Sequence, residues 1–262
     1  MKMALAPLLL LLLLCTDATL SNNMKRVVGG QPCLNTERLY HVQLLHSYNG
    51  ETFLCGGSLI SNNWVLTAAH CLIEGKLRIL EAHVGVHPGP AAVQIITHYV
   101  IYFDNQNRQH DIMLLELPIP VDIVPIQLPD CATFWTNLMT CFSGPKTKKP
   151  CRGSTVQVAG HAATAPGANG LGNTGPFPPV LQCADFPVVA CDVRTYNHIF
   201  CAGSLARNSG MDTCPGDSGG GVVYQNQIYG VIRSGPTLVC TGPTKAMDVC
   251  KYKSWIKTTT GL

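Results

Sequence analysis

The chain has 262 residues, 46% of them hydrophobic and 13% charged, which is enough apolar material for a substantial core and excludes a disordered chain. Its formal charge is +3, and removal of residues 1–26 would take Lys2, Lys25, Arg26 and Asp17 with it, leaving 15 basic against 14 acidic residues. A nearly neutral chain without a basic stripe gives no support to nucleic-acid or membrane-surface binding as the main function.

Residues 1–20 read as a signal peptide: Lys2, then a leucine run from Leu8 to Leu14, then small or polar residues from Cys15 to Ala18. The run is shorter than the ~20 apolar residues of a membrane-spanning helix, and no later run approaches that length. The expected product is therefore secreted into an extracellular, oxidising compartment with no membrane span. Met24-Lys25-Arg26 then precedes Val27-Val28-Gly29-Gly30. Beyond this point glycine (25) and proline (18) are plentiful and helical apolar stripes are scarce, so the predicted class is all-β, short strands joined by turns.

Phe53 to Ile60 reads as a strand, and Trp64-Val-Leu-Thr-Ala-Ala-His70-Cys71 places His70 just past a second apolar run. Histidine suits a general base near neutral pH. Alone, His70 is one of nine histidines and fits a structural role equally well. His110-Asp111-Ile-Met-Leu-Leu-Glu-Leu117 puts a carboxylate at the mouth of a very hydrophobic strand. Burying it would be costly unless it is paired, and orienting an imidazole is one way to pair it; a solvated aspartate at a strand start is the other reading. Lys146, Lys148, Lys149 and Arg152 cluster in a loop that reads as a solvated surface, with docking of a macromolecule as the alternative.

The most specific segment is Asp212-Thr-Cys214-Pro-Gly216-Asp217-Ser218-Gly219-Gly220, in which glycines let the backbone turn tightly around an exposed serine hydroxyl. In isolation it could be only a loop; its occurrence with the other two segments argues for acyl transfer through a covalent intermediate. Thirteen cysteines, less Cys15 in the signal, leave twelve, which suits six disulfides in a secreted protein. With no Cys-x-x-Cys pair and no His-Glu-x-x-His signature, no metal site is expected.

The Val27-Val-Gly-Gly30 start, Leu66-Thr-Ala-Ala-His-Cys71, Asp111-Ile-Met-Leu and Gly216-Asp-Ser-Gly-Gly220 together resemble the chymotrypsin/trypsin family, over nearly everything after Arg26. The order His, Asp, Ser is that of chymotrypsin and differs from subtilisin and the α/β-hydrolases. The resemblance implies two six-stranded antiparallel β-barrels with a short C-terminal helix and the active site between the barrels. It implies a signal peptide (1–20), an activation peptide (21–26) and a peptidase domain (27–262), split near residue 126 into the two barrels. It also implies a catalytic triad of His70, Asp111 and Ser218, an oxyanion hole from the amides of Gly216 and Ser218, and no cofactor. Cleavage after Arg26 would free the Val27 amino group to pair with Asp217.

Asp212 matches the acid at the base of a trypsin-type pocket, which implies cleavage after Arg or Lys, with Thr213, Ser234, Gly235 and Thr244 also lining the substrate site. Three positions depart from the family pattern: Arg233-Ser234-Gly235 stands where Ser-Trp-Gly is usual, and Thr244 where a wall glycine is usual. Arg233 could draw Asp111 away from His70 or point elsewhere. His161 stands for an expected tryptophan, and Gly221 for the usual proline. The implied disulfides are Cys33 with Cys183, Cys55 with Cys71, Cys131 with Cys250, Cys191 with Cys201, and Cys214 with Cys240. Val156 and Tyr224 replace another family pair, leaving Cys141 and Cys151 to bond to each other in an insertion. Implied partners are protein or peptide substrates, an activating protease and protein protease inhibitors, around a monomeric enzyme. A secreted binding protein on a degenerate protease fold is the alternative.

Overall fold

The computed structural model describes residues 30–48, 51–72, 79–131, 150–161, 179–191, 195–203, 213, 216–235 and 243–262. Within them the chain is mostly strand, and it divides into two antiparallel sheets of seven strands each.

The first sheet has the order β6-β5-β2-β3-β4-β8-β7, built from β2 (His41–Tyr48), β3 (Glu51–Leu59), β4 (Trp64–Thr67), β5 (Ile79–Val84), β6 (Ala92–Ile95), β7 (His98–Phe103) and β8 (Gln109–Glu116). Its edges, β6 and β7, are consecutive in the chain, and Ile95 and His98 can stand no more than about 11 Å apart across the three linking peptide steps. The sheet therefore curls until its edges meet at one corner, forming a half-barrel with no ladder between them. The expected pair of antiparallel barrels is what the two sheets form, the N-terminal one as a half-barrel and the C-terminal one as a ring of six strands.

Closure is complete in the C-terminal half. Here β9 (Thr155–Gly160), β10 (Gln182–Val189), β11 (Ile199–Ala202), β14 (Thr244–Asp248), β13 (Gln227–Ser234) and β12 (Gly221–Tyr224) run in that order round a ring that closes where β12 meets β9. The closing contact is a single pairing, Val223 with Gln157. The short β1 (Gln31–Pro32) adds to the outside of β10, and the Cys33–Cys183 disulfide fastens it there. Helix α1 (Lys253–Thr260) ends the chain, burying Ile256 and stopping at Gly261, whose φ of 76° lets its N–H bond back to Lys257.

Alternation in β8 explains how the two halves share a core. Ile112, Met113, Leu114 and Leu115 are all fully buried, so both faces of the strand are covered. Ile112 and Leu114 pack with Val231, Met247, Tyr252 and Ile256 of the C-terminal half, whereas Met113 and Leu115 face Val42, Leu59 and Ala82 inside the first sheet. A residue at the start of β8 is therefore held at the junction between the halves, which is where Asp111 lies.

Candidate active site

Strand β4 ends at Thr67, and Ala69–Cys71 form one 3₁₀ turn. Ala69 and Cys71 are buried and the Cys55–Cys71 disulfide ties the turn to β3, so the residue between them points outward: the His70 side chain is 42% exposed. Its partner comes from β8. Asp111 Oδ1 accepts from the His70 backbone N–H at 2.9 Å, and His70 Nδ1 lies 3.0 Å from Oδ1 and 2.9 Å from Oδ2. One carboxylate thus fixes both the backbone and the ring of the histidine. Burial by itself would raise the Asp111 carboxyl; the hydrogen bonds and charge of His70, assisted by Arg233, hold it below the usual carboxylate value.

Arg233 neither captures Asp111 nor points away. The pairing of β13 with β14 shifts register between Ile232 and Ser234, so Arg233 is the extra residue of an irregularity, and its Nε stands 3.6 Å from Asp111 Oδ2. The carboxylate keeps its closer contacts to His70 and carries the guanidinium as a second, looser partner.

The Ser218 segment is locked to both sheets. Its carbonyl accepts from Gly56 N–H of β3 at 2.7 Å, and Gly219 N–H donates to Ile232 O of β13 at 2.8 Å. Gly56 adjoins Cys55, the disulfide partner of the residue after His70, so the serine loop and the histidine turn hang from the same stretch of strand. Gly219 has φ of 81°, and a Cβ there would overlap Thr67 Oγ1 and the Gly56 carbonyl, so side chain and backbone geometry both demand glycine. Gly216, with φ of 109°, also takes a conformation that L-residues avoid. Asp217 is 1% exposed and lies so close to Gly160 that a Cβ on that glycine would overlap its carboxylate.

On the pocket side, Thr213 Oγ1 and Thr244 Oγ1 are 2.9 Å apart, and both residues are buried. Thr244, at the start of β14, thus holds Thr213 instead of standing free in the wall. Ser234 pairs with Lys245, and Gly235 is exposed just beyond the strand. Arg26, Val27, Asp212, Cys141, Cys214 and Cys240 lie outside the described residues. Four bridges join described cysteines, Cys33–Cys183, Cys55–Cys71, Cys131–Cys250 and Cys191–Cys201, and Cys151 is bonded to a partner outside them. Val156, where the family cysteine is absent, is buried in the C-terminal core with Tyr224 packed against the same cluster, so apolar packing occupies the position of a bridge.

Several features had no signal in the sequence. His161 is buried with its ring 5.4 Å from that of His41, and burial together with the charge of His87 brings it down to about 4. Arg38, with φ of 58°, is 4% exposed; it donates to Gln157 Oε1 and O and to Gly221 O, bracing the seam where the C-terminal barrel closes. It lines a recess of about 560 Å³ that contains none of the three candidate catalytic residues, so size alone does not locate the chemistry. Among the described residues two groups have ligand-like spacing, Cys55-His70-Cys71 and Cys33-Glu37-Cys183; in each the sulfurs are spent in a disulfide and offer no thiolate to a metal. No described helix is long and apolar enough to cross a membrane.

Residues 27–256 match the trypsin family profile. The chain is 29% identical to Trypsin-3 of Salmo salar over 260 residues, covering 92% of this chain and 96% of that protein. It is 31% identical to Trypsin-4 of Rattus norvegicus over 255 residues, 91% of each chain, and 32% identical to Trypsin I-P1 of Gallus gallus over 253 residues, 89% of each. With the profile spanning the whole two-sheet fold and these relatives aligned along nearly their full length, the chain belongs to the trypsin family of serine endopeptidases.

Proposed function

We propose that the chain is a secreted serine endopeptidase, made as a precursor with a signal peptide at 1–20 and an activation peptide at 21–26, and activated by cleavage after Arg26. The observation that carries the catalytic reading is the grip of Asp111 on both the ring and the backbone of His70. That grip leaves Nε2 as the ring nitrogen available for the serine and fixes the tautomer that accepts a proton there.

In the proposed mechanism Ser218 Oγ attacks the scissile carbonyl as His70 Nε2 takes its proton, and Asp111 stabilises the imidazolium. The amides of Gly216 and Ser218 receive the oxyanion; one such donor is worth ~3–4 kcal/mol in related chemistry. Collapse of the tetrahedral intermediate passes the proton from His70 to the leaving amine, and water then repeats the sequence on the acyl-enzyme. The Val27 amino group freed by activation pairs with Asp217, which is 1% exposed, so that the ion pair would be an interior one.

Cleavage after Arg or Lys is the specificity that the resemblance of Asp212 implies, and a narrowed pocket is proposed because β-branched Thr244, in contact with Thr213, replaces a wall glycine of the family pattern. The test is cleavage of a peptide library by protein cut after Arg26, beside an identically prepared Ser218→Ala control. Serine-dependent cleavage after Arg or Lys supports the full reading, and serine-dependent cleavage elsewhere replaces the pocket assignment. No cleavage by folded protein with a free Val27 terminus leaves the alternative, a secreted binding protein.

A further inference from the structure

A recess of about 280 Å³ that includes Asp111 is lined by Arg108, His110, Tyr196, His198 and Arg233 among others. Its floor is aromatic and preorganised. The His198 ring lies 5.3 Å from that of Tyr196 at an interplanar angle of 4°, and 4.3 Å from that of His110 at 26°. His110 is in turn fixed from below by the Tyr252 hydroxyl at 2.8 Å. Tyr196 is 66% exposed, a large aromatic surface standing at the mouth. Arg233, in the lining, immediately precedes Ser234, where the family pattern has lost its aromatic residue.

The walls carry two guanidinium groups with N–H donors to spare. Arg108 spends Nε and Nη2 on Asp104 Oδ2, each at 2.7 Å, leaving Nη1 uncommitted. Arg233 makes only the looser 3.6 Å contact to Asp111 through Nε, which leaves its Nη groups uncommitted. Asp111, the one acid among the lining residues, is occupied by His70, and Asp104, behind the lining, pairs with Arg108 and stands 3.4 Å from His110 Nε2. Burial first, and then the neighbouring charges of His110, Arg233 and Arg108, push the His198 imidazole below its ordinary value, partly offset by Asp104.

We propose that this recess is a specificity site for a carboxylate side chain of the substrate on the acyl side of the scissile bond, with Arg108 and Arg233 binding the carboxylate over the Tyr196–His198 shelf. The proposal rests on the endopeptidase reading and narrows its substrate class to segments carrying Asp or Glu shortly before the cleaved residue. Charge-assisted hydrogen bonds from guanidinium to carboxylate suit such selection, because a neutral isostere of the same shape offers the uncommitted guanidinium N–H groups a weaker acceptor.

The experiment compares peptides that carry Glu or Gln at each of the three positions before a scissile arginine. Turnover is read for the activated enzyme, and binding for its Ser218→Ala variant by fluorescence anisotropy. At one of the positions kcat/KM and affinity should both favour Glu by about tenfold. That preference should shrink as salt rises and fall to within about twofold in Arg108→Gln. Equal binding of Glu and Gln peptides overturns the proposal, as does a Glu preference that survives in Arg108→Gln. Glu-selective binding to the Ser218→Ala variant without turnover by the activated enzyme would defeat the catalytic reading and leave the recess assigned.

Discussion

His70 and His161 each follow the last residues of a strand, β4 in one sheet and β9 in the other, yet their surroundings make them chemically opposite. His70 is exposed by a turn whose flanking residues are buried, and a carboxylate holds its Nδ1. His161 is 3% exposed, its Nδ1 has no hydrogen-bond partner, and the nearest ring is another buried imidazole. Residue type is identical; what differs is whether a proton gained by the ring meets a counter-charge or is buried among other imidazoles. The first arrangement can exchange protons during a reaction, and the second resists protonation until well below neutral pH.

The strongest way to break this comparison is to remove the counter-charge. Asp111→Asn should leave the backbone fold intact, as judged by circular dichroism, while lowering kcat by ~10⁴-fold through loss of the correct tautomer. A fall of less than tenfold would mean that His70 does not depend on Asp111.

Next in size is the pH dependence of stability. The folded-state value of His161 is lowered to about 4 from an ordinary 6.5, so between these values the unfolded chain binds a proton that the folded chain refuses. Stability therefore falls as pH drops from 6.5 towards 4 and levels off below, by up to about 3 kcal/mol for this group. His161→Phe should flatten that part of the profile in urea unfolding measured between pH 4 and 7. Parallel profiles for the two proteins would assign the acid sensitivity to other groups.

A smaller effect separates the His70–Asp111 corner from the pocket that serves it. Thr244→Gly removes the side chain that meets Thr213 and should raise kcat/KM for arginine substrates about tenfold, leaving the pH dependence of kcat unchanged. A change in the pH profile instead would show that the wall and the corner are coupled.

Motifs that join local backbone geometry to chemistry were legible in the sequence. Gly219 must be glycine because its neighbours and its φ leave no room for a Cβ, and that requirement is visible as a run of glycines after Ser218. The run Ile112–Leu115 was legible as a very hydrophobic strand, and its burial on both faces is what the structure adds. The half-barrel was harder to foresee, since whether two edge strands form a ladder depends on sheet curvature, a property of all seven strands together.

The sequence by itself determined the all-β class, the bracketing of His70 and Asp111 by apolar strands, the glycine-rich serine loop and the cysteine inventory, because each is written in neighbouring residues. Only the tertiary structure decided where Arg233 goes, that His161 lies against His41, that Arg38 braces the seam of a barrel 119 residues away at Gln157, and that Tyr196, His198 and Arg108 share one recess with Asp111. Charge and stacking act through distance in space, and these partners are brought together only when the two sheets close on their common core.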